Sequence, residues 1–86
     1  MKIRLFFVTP LGFEWLDESK EVTADNYKEV ITDYNNRMEP RADALVDKWM
    51  SKGEENDCEL YFDIENIDVP QELWNEMVSF MMKNWL

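Results

Sequence analysis

Cys58, Leu60, Phe62 and Ile64 alternate with Glu59, Tyr61, Asp63 and Glu65, the period-two pattern of a strand with one face buried and the other in water. On both sides the apolar spacing changes to that of helices. Upstream, Tyr27, Val30, Ile31, Tyr34 and Met38 form one stripe, and Ala42, Leu45, Val46, Trp49 and Met50 form another. Thr23 is placed to cap the first stripe and Asp25 to favour its first turn. Pro40 falls between the two stripes, where a proline loses a backbone hydrogen bond and clashes with the preceding turn. The segment therefore reads as two helices, or as one kinked helix. Lys52-Gly53 is a cationic last turn followed by a glycine stop.

Downstream, Val69-Pro70-Gln71-Glu72 opens a further helix, because proline is tolerated in a first turn. Leu73, Trp74, Met77, Val78, Phe80, Met81, Met82, Trp85 and Leu86 cover more than one narrow stripe of it. Most of these side chains are expected in the core. Trp85 and Leu86 are expected to be left over for a homodimer or partner contact.

At the other end, Ile3, Leu5 and Phe7 lie opposite Arg4, Phe6 and Val8, a strand apolar on both faces that belongs inside a sheet or under a helix. Pro10-Leu11-Gly12 suggests a turn into a second short strand before Val22. The expected fold is α+β, a two- or three-stranded antiparallel sheet packed against three helices in the order β(β)ααβα. The 86 residues form a single acidic domain over 1-86, since no second core fits in that length.

Composition excludes several functions. The chain has no His and one Cys, so neither an internal disulfide nor a nitrogen and sulfur zinc site is available. The same lack removes the usual general base of a catalytic triad. Cys58 lies between Asp57 and Glu59, which suppress a reactive thiolate. Gly12 and Gly53 stand alone, so no phosphate-binding loop is present. Glu54-Glu55-Asn56-Asp57, with Asp63, Glu65 and Asp68, lacks the glycine and terminal glutamate of a calcium loop and reads as solvated. A non-enzymatic protein without cofactor or metal is expected. The apolar start stops at Thr9-Pro10 without a cleavage site, and no stretch is long enough to span a bilayer. A cytoplasmic location is expected.

Nine Lys and Arg stand against nineteen Asp and Glu, for a formal charge of -10. That charge repels nucleic acid and anionic lipid, so neither is an expected direct partner. The charge is concentrated: residues 21 to 68 hold five basic and fourteen acidic side chains. Within them Asp25, Glu29 and Asp33 recur at i, i+4, as do Asp43 and Asp47, each run on one helix face. Like charges so spaced cost a helix a few tenths of a kcal/mol, roughly, per pair. A solvated outer face is the plain explanation, but solubility needs only a modest excess of one sign.

The expected function is an acidic protein, viral or plasmid-borne, that inhibits a DNA- or RNA-binding protein such as a defence nuclease. Carboxylates would take the place of phosphates in its basic groove, with Asp25, Glu29, Asp33, Asp43, Asp47, Glu54, Glu55 and Asp57 as the contact residues. Two alternatives use the same chain differently: an immunity- or antitoxin-type inhibitor of a basic toxin with a few aromatic anchors, and an adaptor subunit docking through its last helix.

Overall fold

The strand that is apolar on both sides takes the middle of the sheet. The structure, a computed structural model, describes residues 1–53 and 59–85. Its elements run β1 (Lys2–Val8), β2 (Glu14–Glu21), α1 (Tyr27–Ser51), β3 (Tyr61–Asn66) and α2 (Gln71–Trp85). The sheet is antiparallel throughout, in the order β2-β1-β3.

Pairing of Leu5 with Ile64 and of Phe7 with Phe62 sets these side chains on the face that meets the helices. There, with Ile3, Val22, Ile31, Tyr34, Met77 and Met81, they make the core. Each such aliphatic side chain removed from water contributes about 1.5–3 kcal/mol before entropy is counted. Rings interlock across the layers: Phe62 lies 5.5 Å from Phe7 and 5.3 Å from Tyr34, both stacked.

The other face of the sheet is covered by charge and not by a helix. Arg4, on the central strand, bonds both oxygens of Glu14 at 2.9 and 3.0 Å, Asp17 at 3.3 Å and Glu65 at 3.0 Å. Its guanidinium lies 4.3 Å above the Phe6 ring, which keeps Phe6 buried on this side. One side chain thus ties three strands together.

β2 is longer than its sparse apolar content suggests, because pairing with β1 recruits it. Between Leu5↔Glu18 and Phe7↔Trp15 it spends one more residue than β1 does, a bulge. Leu16, within that bulge, has φ 60°. The Tyr34 hydroxyl of α1 donates to its carbonyl at 2.6 Å.

Among the described residues two helices are present where three were expected, in the order ββαβα. Pro40 lies inside α1, which continues through it without a break. The reason is phase. At 3.6 residues per turn the stripe of Tyr27, Ile31, Tyr34 and Met38 runs on into Ala42, Leu45 and Trp49 on the same face, and the second half packs through Ala42 in the core and Trp49 against Trp15 of β2. Pro40 and Asn36, whose carbonyl loses its partner, are on the exposed side, where water replaces the bond. Tertiary burial outweighs the local penalty.

The capping expectation shifts by three residues. Asn26, not Thr23, holds the cap position of α1. Thr23 and Asn26 bond each other: the Asn26 Oδ1 accepts the Thr23 N–H at 2.7 Å, and the Thr23 Oγ1 accepts the Asn26 N–H at 3.2 Å. The stop at Lys52-Gly53 stands as expected, with Gly53 at φ 76° and its N–H on the Met50 carbonyl at 3.1 Å.

Leu86 lies outside the described residues, and Trp85 is partly buried. It packs edge-on against Phe62 and Phe80, 5.4 Å from each, and closes the core between α2 and β3. Of the α2 methionines, Met77 and Met81 are buried and Met82 is exposed. On edge strand β3 the Ile64 N–H is taken by the Asp63 carboxylate at 2.8 Å. Among the described residues no helix is long and apolar enough to cross a membrane.

Candidate functional site

Because α1 is continuous, its two acidic runs share one phase. Asp47 lies roughly five turns beyond Glu29, so the two point the same way about 27 Å apart. Asp33, Asn36, Pro40 and Asp43 fall within roughly 40° of that line. All six are exposed, diametrically opposite the buried stripe. The helix therefore presents one acidic ridge, and no basic residue interrupts it.

Asp33 is the weakest member, since Arg37 bonds it at 2.8 Å and reaches across to Glu18 of β2 at 3.1 Å. Among the described residues Glu29, Asp43 and Asp47 enter no ion pair. Arg41 and Lys48 stand on the flank toward β2, beside Leu16, Ala44 and Leu45. Asp25, expected on the same helix face as Glu29 and Asp33, instead lies exposed in the turn before the helix, because α1 is capped at Asn26. Glu54, Glu55, Asp57 and the Cys58 thiol lie outside the described residues.

The opposite flank of the ridge, between α1, β3 and the end of α2, holds a cavity of about 210 Å³. Phe62, Trp85 and Val46 floor it, and Asn35, Glu39 and Asp43 line its polar side. Asn35 is only 8% exposed. Its amide nitrogen donates to the Glu39 carboxylate at 3.3 Å. A carboxylate only accepts, so this bond fixes the amide orientation and leaves the Asn35 carbonyl oxygen as the free acceptor. Among the described residues no donor meets it. At the mouth the Tyr61 hydroxyl donates to Glu59, a bond that raises the phenol above its ordinary pKa.

The spacing of Glu39 four residues before Asp43 was present in the sequence and extends the second run to three. Asn35 carries no sequence signal, because a single asparagine on a long helix is ordinarily solvent-facing. Tyr61 reads only as an outward strand residue.

Other surfaces offer less chemistry. The β1–β2 connection leaves Leu11 65% and Phe13 63% exposed, and Trp15 behind them touches Trp49 of α1 at 5.3 Å. Among the described residues no group of three or more His, Cys, Asp or Glu is gathered to hold a metal ion. Compared with known proteins, the chain matches no family model, no curated protein and no solved structure.

Proposed function

We propose that this protein binds and inhibits a DNA- or RNA-binding protein, such as a nuclease of a host defence system, by setting carboxylates where the phosphates of the nucleic acid would lie. The observation that carries the reading is the α1 ridge, with Glu29, Asp33, Asp43 and Asp47 in phase over about 27 Å. That length matches roughly eight base-pair steps of duplex at 3.4 Å each. Glu29, Asp43 and Asp47 have no cation to hold them within the described chain, so they are available to Lys and Arg of a groove. Such an array steers encounter and pairs with a basic surface. A viral or plasmid counter-defence role suits an inhibitor of this size and charge.

The test is a pull-down on the immobilised protein from host lysate, eluted first with duplex DNA, then with high salt, then with denaturant. Release of a nucleic-acid-binding protein by DNA is expected, and the free chain should displace nucleic acid from the purified partner. A partner that resists both DNA and salt overturns groove occupation.

The exposed Leu11 and Phe13 favour a second reading, an immunity- or antitoxin-type inhibitor that adds dry apolar anchors to the same charges. Anchored binding keeps a slow dissociation in salt, whereas phosphate mimicry weakens steeply.

A further inference from the structure

We infer that the cavity between α1 and β3 is a receptor for one arginine side chain of the partner. The inference rests on the reading of the acidic ridge as a binding face for a basic protein. Asp43 belongs to both features, so a chain lying along the ridge passes over the cavity mouth. Three properties of the cavity match a guanidinium and none other of the common side chains as well. Glu39 and Asp43 supply two carboxylates on one rim, four residues apart, which suits a planar fork with several N–H donors. Asn35, a buried residue, lines the same cavity, and its carbonyl oxygen, which meets no donor among the described residues, is a neutral acceptor there. A buried acceptor left unmet is costly, and an incoming N–H relieves that cost. Phe62, Trp85 and Tyr61 supply aromatic surface, on which an arginine head stacks and its aliphatic stem packs. A lysine fits less well, because its compact, strongly hydrated ammonium cannot satisfy three separated acceptors from one plane.

Nuclear magnetic resonance titration of the ¹⁵N-labelled protein tests this with three twelve-residue peptides, identical except that their spaced cationic positions are Arg, Lys or citrulline. The Arg peptide is expected to bind about tenfold more tightly than the Lys peptide and to move the Asn35 side-chain amide and the Trp85 indole signals. The neutral citrulline peptide is expected to do neither. The exposed double variant Glu39→Gln/Asp43→Asn should lose the preference for Arg while keeping its fold, checked by an unchanged spectrum away from the cavity. Equal affinity for Arg and Lys with Asn35 and Trp85 unmoved overturns the receptor and leaves the acidic ridge standing. Absence of binding by both cationic peptides at low salt overturns the receptor and the ridge together.

Discussion

The Tyr34 hydroxyl, on a ring with no solvent exposure, donates at 2.6 Å to the carbonyl of Leu16, the one non-glycine residue of positive φ among those described. Helix α1 thereby holds the β2 bulge in a conformation that a leucine seldom adopts. Tyr34→Phe removes the bond and nothing else, and is expected to cost about 1–2 kcal/mol in urea unfolding. Burial, with Glu18 and Asp17 nearby, raises the Tyr34 pKa well above that of a free phenol. A raised pKa gives stability that is complete below the unfolded value, about 10, and is lost as pH rises beyond it. The wild-type protein should weaken above that pH, and Tyr34→Phe should weaken less.

Arg4 predicts the opposite limb of the pH profile. Its bonds hold the Glu14 carboxylate below the ordinary range, and Lys20, then Arg37, do the same for Glu18. Depressed acids stabilise fully above their unfolded pKa, about 4.3, and lose that contribution as pH falls through the folded values. Arg4→Met keeps the cover over Phe6 but leaves three carboxylates unpaired, and should cost about 1–2 kcal/mol at pH 7. At pH 3 the difference from wild type should shrink toward zero. Chemical denaturation at the two pH values reads both effects.

Pro40→Ala restores the missing bond to the Asn36 carbonyl at an exposed site of α1. Helix propensity favours alanine by about 3 kcal/mol, and part of this is returned because proline also restricts the unfolded chain. A net gain of about 1–2 kcal/mol in unfolding free energy is the expected result.

Neutralising the far end of the ridge separates stability from binding. Asp43→Asn/Asp47→Asn relieves the repulsions of Glu39 with Asp43 and of Asp43 with Asp47, and removes a negative charge near the C-terminal end of α1. The variant should be more stable by about 0.5–1 kcal/mol, as read by thermal unfolding. Under the proposed function the same variant must bind its basic partner more weakly. A variant that is both more stable and equally tight in binding would show that the ridge is only a solvated face.

What the sequence revealed and what it hid divide along physical lines. β3 was readable because Phe62 and Ile64 alternate with charged neighbours, and the end of α1 because Lys52-Gly53 is a local stop. β2 was readable only as a short strand, since Glu14–Glu21 has few apolar residues and owes its extended state to pairing with β1. The unity of α1 could not be read at Pro40 itself. It depends on both halves finding the same sheet, a non-local fact. The packing of Trp85 on Phe62 was hidden for the same reason, because β3 is brought to it by the fold. The acidic runs were legible one by one, but their common phase follows from an unbroken helix. The cavity was not legible, since Asn35 becomes a buried acceptor only once β3 and α2 close over it.

Both outer strands of the sheet discourage a fourth. β2 carries five charged side chains in its eight residues and a bulge, and β3 has turned the Ile64 N–H onto its own Asp63. A neighbouring molecule offering a strand would meet a bent, like-charged border on one side and a spent donor on the other. The consequence is colloidal: concentrated solutions should stay free of strand-templated fibres. Asp63→Val, which frees that donor and adds a β-branched residue, is the change that would open the sheet to growth.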